Sequence, residues 1–282
     1  MLAELAISHF LVRINEMPPY PNLISDSLLI TETIRLLQNF GGRAPVVKVV
    51  DYVMKISAPA PDLARLLVSD LAATDPRLYL NEDTLELIET NFESRAFAET
   101  EFVVFDLETT GAKAPPCRVT EIGAYRVKNG RIVEEFQTLV NPETSIPPFI
   151  ASLTGISDRM VKNAPKFREI AADFLDFIGD SVLVAHNAHF DMRFLNHEID
   201  RIYKNYRVAN PSLCTVRLSR RLNSNIENHR LRTLADYYSV ALVNHHRAAD
   251  DAHATAHIFI RLLEQLQMHG IRDLAAAKKF KF

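Results

Sequence analysis

The chain has 282 residues, of which 48% are hydrophobic and 24% charged, a composition typical of a folded globular protein with about two domains. Its formal net charge of −3 excludes a uniformly basic protein that holds nucleic acid by bulk electrostatics. Two cysteines are too few for a disulfide framework, and no apolar run approaches the ~18 residues of a membrane helix. Because the N-terminus also lacks a basic leader, we predict a cytoplasmic protein without membrane association.

The charge is distributed unevenly along the chain. Residues 1–100 contain 8 basic and 14 acidic side chains, whereas residues 101–282 contain 24 basic and 21 acidic ones. Residues 91–100 have no clear periodicity, which predicts a linker or a boundary strand. We therefore predict a smaller accessory domain over residues 1–95 and a larger domain over residues 96–282.

The first domain is predicted to contain three helices and a hairpin. Apolar residues at spacings of three and four indicate helices over residues 28–40, from Pro45 to Val53, and from Leu63 to Leu71. Alternating residues 77–80 and 84–88 then flank a turn, which predicts a β-hairpin. This order of elements is that of a winged helix, a small α+β domain.

The third predicted helix is the one that would enter the major groove if this domain bound DNA. It offers Asp62, Arg65 and Asp70, one basic residue against two acids. Phosphate contacts need clustered lysine and arginine. We therefore expect the first domain to dock a protein or to give structural support, and not to recognise DNA.

The second domain begins with strands. Residues 101–106 form a nearly continuous apolar run, and residues 119–127 and 132–140 form two more strands joined by an Asn129-Gly130 turn. Later elements are a short strand over residues 181–185 and helices near residues 165–178, 190–203, 213–222, 231–238 and 250–267. The order predicts an α/β fold, a mixed β-sheet flanked by helices.

Asp106 and Glu108 lie two residues apart at the end of the first strand of this domain. Alternation along a strand directs both carboxylates to one face, with Leu107 turned to the other. Two like charges this close repel each other unless a cation lies between them. The pair is therefore either a divalent-metal site or an ordinary solvated strand end.

Two other segments carry acids or histidines at the beginning of predicted helices. Asp191 lies where a strand leads into a helix, a position that also suits an ordinary first-turn acid. His245 and His246 precede a helix that contains Asp250 and Asp251, and the pattern leaves open which aspartate points inward. A histidine with an unperturbed pKa of about 6.5 is suited to act as a general base.

Together these segments offer four carboxylates and no cysteine. Such oxygen donors suit Mg²⁺ or Mn²⁺ better than zinc. Two such ions about 3.5–4 Å apart can activate a water molecule and stabilise the leaving oxygen of a phosphodiester. A nearby histidine would accept the proton from that water.

Over about residues 101–267 the sequence resembles the DEDDh group of DnaQ-like 3′→5′ exonucleases, the group that includes the epsilon proofreading subunit of bacterial DNA polymerase III. The resemblance rests on three motifs, with further similarity at residues 121–124, 139–142 and 153–156. The motifs are Asp106-Leu107-Glu108-Thr109-Thr110-Gly111, His186-Asn187-Ala188-His189-Phe190-Asp191, and His246-Arg247-Ala248 followed by Asp251. Residues 1–100 have no counterpart in the minimal domain of this family.

The resemblance implies an RNase H-like fold and a set of site residues. It assigns His246 as the general base, because the family has four residues between its histidine and its last aspartate. The implied metal ligands, also counted as catalytic, are Asp106, Glu108, Asp191 and Asp251. The implied nucleotide-binding residues are Leu107, Thr109, Thr154, His186, Asn187 and Phe190; for the last three, structural support is the alternative.

We therefore expect an exonuclease, with two Mg²⁺ or Mn²⁺ ions, that hydrolyses the 3′-terminal phosphodiester of single-stranded or frayed DNA and releases nucleoside 5′-monophosphates in proofreading or repair. One alternative is an exoribonuclease that trims RNA 3′ ends. The other is an accessory subunit whose first domain docks on a polymerase or repair protein. A basic group could contact phosphates or form a solvated helical face; it comprises Arg217, Arg220, Arg221, Arg230 and Arg232.

Overall fold

The computed structural model describes residues 20–88 and 94–280, which fall into two compact units. The described residues of the first unit are 20–88 together with Tyr203–Ala209, and the second unit contains the others. No helix in the described ranges is both long and apolar enough to cross a membrane.

The first unit has the predicted order of three helices followed by a hairpin, with two additional strands, β1 and β2. The hairpin strands β3 and β4 join β2 in a sheet of order β2-β4-β3, and β1 pairs antiparallel with residues 206–208. The elements are β1 (Leu23–Ser25), α1 (Leu28–Asn39), β2 (Arg43–Pro45), α2 (Val46–Met54), α3 (Pro61–Ala73), β3 (Leu78–Asn81) and β4 (Thr84–Leu87).

The segment predicted as a linker or boundary strand, residues 91–100, lies partly outside the described residues. Its described part contains a single 3₁₀ turn at Phe97–Glu99. Ala96 pairs with Asp273 in an isolated bridge, so this part of the segment packs on the second unit without forming a strand.

The second unit contains the predicted mixed sheet, flanked by helices. Strands β5, β6 and β7 form an antiparallel meander, and β8 and β10 lie parallel to β5, giving the order β10-β8-β5-β6-β7. The elements of the second unit are β5 (Phe102–Thr109), β6 (Val119–Lys128), β7 (Arg131–Leu139), α4 (Pro148–Thr154), α5 (Asp158–Val161), α6 (Phe167–Ile178), β8 (Val182–Ala185), α7 (His189–Ile202), β10 (Ser212–Cys214), α8 (Thr215–Leu222), α9 (Leu231–Tyr238), α10 (Ala248–Met268) and α11 (Leu274–Lys279). Strand β9 (Tyr206–Val208), between α7 and β10 in the chain, belongs to the first unit.

The predicted turn between β6 and β7 is confirmed. Asn129 and Gly130 have φ values of 51° and 70°, the left-handed conformation that a two-residue hairpin turn requires. Glycine adopts this conformation without a side-chain clash, and asparagine tolerates it better than most residues.

Aromatic packing shows which helix covers which face of β5. Phe102 packs against Phe259 of α10, with ring centroids 5.0 Å apart, whereas Phe105 faces Phe174 of α6 at 6.4 Å. Because side chains alternate along a strand, Asp106 and Glu108 share the face of Phe102. The carboxylates of β5 therefore lie on the face that α10 covers.

Several element predictions were wrong. The first strand continues beyond Asp106 to Thr109, so Glu108 lies within the strand. The predicted helix 213–222 begins as the short strand β10, because its first residues pair with β8 at the edge of the sheet. Short helices α4, α5 and α11 were missed, since four to seven residues carry little periodic pattern.

Candidate active site

The carboxylates of Asp106 and Glu108 lie on one face of β5, as strand alternation predicts. Both side chains are half-buried, and Leu107 between them is buried on the opposite face. On the neighbouring strand, Gly123 pairs with Asp106 and Glu121 pairs with Glu108. The two acids are therefore held by a regular antiparallel ladder and not by a loop.

Asp251 brings a third carboxylate to this pair from the first turns of α10. One carboxylate oxygen each from Asp106, Glu108 and Asp251 lies within 4.8 Å of the other two. We refer to these three residues as the carboxylate cluster. The neighbouring Asp250 accepts a hydrogen bond from Asn244 at 3.2 Å instead, so the fold selects Asp251 from two adjacent acids.

Asp191 lies beside the carboxylate cluster, in the first turn of α7. Its side chain is buried, and its Oδ1 accepts a hydrogen bond from the backbone amide of Leu107 at 3.2 Å. Leu107 lies between the two acids of β5, so this bond ties Asp191 to the strand that carries them. The structure thus places all four predicted acids in one region.

The acids of this site have strongly raised pKa values. Burial raises the pKa of Asp106 well above its usual value, and the neighbouring charges of Asp191, Glu108 and Asp251 add to the rise. Burial, followed by the charges of Asp251 and Glu121, raises the pKa of Glu108 to about 8. Desolvation also raises the pKa of Asp191 to about 8.

These raised pKa values show that the carboxylates are desolvated and that neighbouring acids add repulsion at Asp106 and Glu108, which Arg247 offsets in part at Glu108. Further positive charge would stabilise their ionised forms. A divalent cation would supply that charge, and carboxylate oxygens are the donors that Mg²⁺ and Mn²⁺ prefer. The donor set therefore fits a divalent metal, although it does not distinguish between these two ions.

Both histidines before α10 lie near Asp251. The ring Nδ1 of His245 is 3.0 Å from Asp251 Oδ1, and the backbone amide of His246 donates to Asp251 Oδ2 at 3.1 Å. The two imidazole rings stack with centroids 4.0 Å apart, and His246 has a φ of 71°. Burial and the neighbouring His245 lower the pKa of His246, which favours its neutral form.

The hydroxyl groups of both predicted nucleotide-binding threonines donate hydrogen bonds to backbone carbonyls of the protein. Thr109 donates to the carbonyl of Gly111 at 2.7 Å, and Thr154 donates to the carbonyl of Ile150 at 3.0 Å. Thr154 also accepts a bond from the amide of Ile156, so it shapes the turn after α4.

Three other predicted nucleotide-binding residues, His186, Asn187 and Phe190, lie around the turn between β8 and α7, whereas Leu107 is buried within β5. His186 is held at 2.9 Å from the hydroxyl of Thr215, and burial lowers its pKa to about 4. Asn187 is exposed with a φ of 71°, and the half-buried ring of Phe190 packs on Phe194 at 4.8 Å. Their contact with a nucleotide stays a prediction.

The basic group of α8 and α9 is only partly available to phosphates. Arg221 donates to the backbone carbonyls of Ala277 and Lys278, so it anchors α11. Arg217, Arg220, Arg230 and Arg232 are exposed, as a phosphate-binding surface requires. The carboxylate of Glu121, whose role was not predicted, lies next to the site and is buried against Arg247.

The fold and the site together define a class of protein. A five-stranded mixed sheet with helices on both faces, and carboxylates on its central strand, is the architecture of an RNase H-like nuclease.

The sequence signature of the RNase_T family, described as an exonuclease, matches residues 103–259. The chain therefore belongs to this exonuclease family and is DnaQ-like.

The chain spans only a small part of the length of the curated relatives that it matches. It is 45% identical over 197 residues to the DNA polymerase III PolC-type of Caldanaerobacter subterraneus subsp. tengcongensis, covering 70% of this chain and 14% of that protein. It is 44% identical over 200 residues to a putative bifunctional exonuclease/endonuclease protein of Mycobacterium tuberculosis, covering 68% of this chain and 31% of that protein.

Solved structures share the fold of the second unit. Exonuclease X in complex with 5′ overhanging duplex DNA matches with a TM-score of 0.50 and 26% identity, covering 60% of this chain and 93% of that one. Escherichia coli exonuclease I in complex with a dT13 oligonucleotide matches with a TM-score of 0.53 and 16% identity, covering 61% and 42%.

Proposed function

We propose that the chain hydrolyses the 3′-terminal phosphodiester of single-stranded or frayed DNA and releases nucleoside 5′-monophosphates. The observation that carries this proposal is the carboxylate cluster of Asp106, Glu108 and Asp251, with His246 beside it. The three carboxylate oxygens lie within 4.8 Å of one another, on a strand and at the start of a helix. Carboxylates held this firmly suit the divalent ions that assist hydrolysis of a phosphodiester.

The proposed site takes two divalent ions, Mg²⁺ or Mn²⁺. Asp106, Glu108 and Asp251 would hold one ion and Asp106 the second, while Asp191 anchors the pair. When bound, the ions supply a nucleophilic water at neutral pH and a positive charge for the leaving oxygen. His246 accepts the proton from the attacking water, since its lowered pKa keeps the ring neutral and able to accept.

The terminal nucleotide is proposed to lie among Leu107, Thr109, Thr154, His186, Asn187 and Phe190. Of these, Asn187 is exposed and Phe190 half-buried, so an amide and an aromatic ring are accessible at the start of α7. Aromatic rings stack on bases of any sequence, which suits an enzyme that removes every nucleotide in turn.

The test is a degradation assay on 5′-labelled oligonucleotides with Mg²⁺ or Mn²⁺. We expect a ladder shortening from the 3′ end of single-stranded DNA, with nucleoside 5′-monophosphates as products and no activity in Asp106→Asn. Untouched DNA in both metals would refute the proposal. Faster degradation of a matched RNA strand would instead support the exoribonuclease alternative, because the 2′-hydroxyl distinguishes the two substrates.

We further propose that the first domain, residues 1–95, docks a DNA polymerase or a repair protein. The PolC-type relatives support an association with a polymerase. Apolar side chains are exposed on this unit, including Leu66 of α3 and Tyr79 of β3.

Point variants test this docking better than a deletion, because removal of residues 1–95 would leave strand β9 without its partner β1. Leu66→Glu and Tyr79→Glu should weaken a complex with the replicative polymerase of the same organism by gel filtration, while exonuclease activity persists. The docking proposal fails if wild-type protein forms no such complex.

A further inference from the structure

A buried carboxylate on β6 holds the start of the helix that carries Asp251. Glu121 is 4% exposed, and its two oxygens accept hydrogen bonds from Arg247 Nε at 3.0 Å and Arg247 Nη2 at 2.6 Å. One oxygen also accepts the backbone amide of Ala248 at 2.9 Å. Because Ala248 is the first residue of α10, a side chain of the sheet binds the N-terminal end of this helix.

A second contact on the same face of β6 brings the helix start close to the sheet. Gly123 lies two residues after Glu121, and a Cβ atom at this position would overlap the backbone of Ala248 and Ala249. Only glycine lets the helix backbone approach this closely. Glu121 and Gly123 pair with Glu108 and Asp106 in the register of β5 and β6, so both anchors lie directly beside the acids of β5.

The anchored residues lie between His246 and Asp251. His246 immediately precedes Arg247, and its backbone amide donates to Asp251 Oδ2 at 3.1 Å. Whatever fixes Arg247 and Ala248 against β6 therefore also fixes where His246 and Asp251 lie relative to Asp106 and Glu108. We name residues 246–251 the anchored segment.

We propose that Glu121 is a positioning residue of the exonuclease, which holds the anchored segment so that Asp251 and His246 face the acids of β5. The proposal rests on the proposed function, since it assigns roles to the same site. We assign Glu121 a positioning role and not a ligand role, because three donors already bind its two oxygens. Among the described residues it also lies outside the carboxylate cluster.

Arg247 completes this arrangement electrostatically. The negative charge of Glu121 contributes to the raised pKa of Glu108, whereas the positive charge of Arg247 lowers that pKa. The ion pair thus holds the anchored segment while adding little net charge to a crowded acidic site. A lysine at position 247 would keep the charge but lose the planar two-pronged contact with the carboxylate.

The main test compares Glu121→Gln with a matched control, Asp75→Asn. Asp75 of the first unit is also a buried carboxylate that accepts a two-pronged arginine contact, from Arg77, and a backbone amide, from Ser25. Both variants remove one negative charge from such a network, but only Glu121 contacts the anchored segment. Asp75→Asn therefore shows whether the loss of a buried carboxylate that does not contact the anchored segment lowers activity by itself.

We expect Glu121→Gln to lower kcat on single-stranded DNA by about 10- to 100-fold. A displacement of catalytic groups by about 1 Å can slow a reaction by about 100-fold. KM should stay within about twofold, because the substrate contacts are intact. Asp75→Asn should keep the wild-type kcat. Equal kcat losses in the two variants, or an unchanged kcat in Glu121→Gln, would overturn the proposal.

The kinetics of a second variant and hydrogen exchange provide two further tests of the positioning role. Arg247→Lys should lower kcat less than Glu121→Gln, and it serves as the test if the glutamine variant does not fold. Hydrogen exchange of the metal-free protein should show reduced protection of the anchored segment in Glu121→Gln but not in Asp75→Asn. If the wild type has no nuclease activity, the proposed function fails, and the exchange result alone decides whether Glu121 positions this segment.

Discussion

At the residue scale, the site depends on four acids and one histidine that the chain supplies from three distant segments. The spacing of Asp106 and Glu108 already places both carboxylates on one face of a strand, because side chains alternate along β structure. Strand alternation does not predict that Asp251, more than 140 positions further along the chain, lies beside this pair. Its selection over Asp250 depends on how α10 meets the sheet.

Replacement of His246 tests its assignment as the general base. His246→Ala should lower kcat by ~10²–10⁴-fold while metal binding persists, because removal of a general base slows only proton transfer. His253→Ala, on an exposed turn of α10, should keep the wild-type rate.

His245→Ala provides the informative comparison, because the His245 ring is the one that contacts the Asp251 carboxylate. We expect a smaller loss of kcat than for His246→Ala in the same steady-state assay. If the His245 variant loses more activity than the His246 variant, the base has been assigned to the wrong ring.

The raised pKa values of the acids predict how the metal-free protein responds to pH. The folded pKa values of Glu108 and Asp191, both about 8, lie above those of ordinary unfolded side chains near 4. The folded state therefore binds more protons than the unfolded state between these values, and stability falls as pH rises through this range.

Melting experiments at pH 5.5 and pH 8 check this expectation. Mn²⁺ should raise the melting temperature of the wild type more at pH 8, by at least ~2–4 °C, the change that about 1 kcal/mol produces in a domain of this size. Glu108→Gln should reduce the decline between the two pH values. A metal-free melting temperature that rises with pH would contradict the assigned repulsion.

At the element scale, buried ion pairs attach helices to the sheet. Glu121 and Arg247 attach α10 to β6, and Arg118 with Glu198 attaches α7 to the first residues of β6. Both attachments lie beside helices that carry a site acid, Asp251 or Asp191. The rigidity of the site thus comes from contacts between elements that are remote in sequence.

Removal of one partner from the Arg118–Glu198 pair should be strongly destabilising. Glu198 is buried and accepts from Arg118 at 2.7 and 3.1 Å, so Glu198→Gln leaves the largely buried Arg118 charge to its longer contact with Glu143, at 3.5 Å. We expect a loss of about 3–5 kcal/mol in the free energy of unfolding by urea.

The matched control for this prediction is Glu134→Gln. Glu134 pairs with Arg126, also on β6, at 2.7 Å, but its side chain is 55% exposed. Exposed pairs contribute only about 0–1 kcal/mol, so the control should change stability little. Comparable losses in the two variants would show that burial does not set the value of these ion pairs.

At the scale of the whole molecule, each of the two units has a hydrophobic core of its own among the described residues. One core lies among α1, α2, α3 and the hairpin of the first unit, and the other lies between α10 and the five-stranded sheet. The site acids belong to the second unit alone. The formal charge of −3 is the sum of an acidic N-terminal part and a mildly basic nuclease part.

Separate cores predict separate responses to metal and to mutation. In calorimetry, Mn²⁺ should raise the transition of the second unit, because a ligand stabilises only the state that binds it. Asp75→Asn should lower only the transition of the first unit. A single transition that moves with both changes would show that the two cores unfold cooperatively.

Sequence patterns that depend on neighbouring residues were sufficient for much of this protein. Strand alternation, helical periodicity and the Asn129-Gly130 turn predicted the antiparallel start of the sheet and most longer helices. The motifs around Asp106, Asp191 and Asp251 predicted the family, because their residues and spacing are unusual in combination. These features depend on residues close together in the sequence, so a single sequence is sufficient to predict them.

The tertiary structure alone decided the features that join distant segments. It brought the His245 ring onto the Asp251 carboxylate and placed Glu121 under the start of α10. It also gave the first unit a strand, β9, from a segment between two elements of the second unit. Such contacts depend on register and on packing between elements, which local periodicity does not encode.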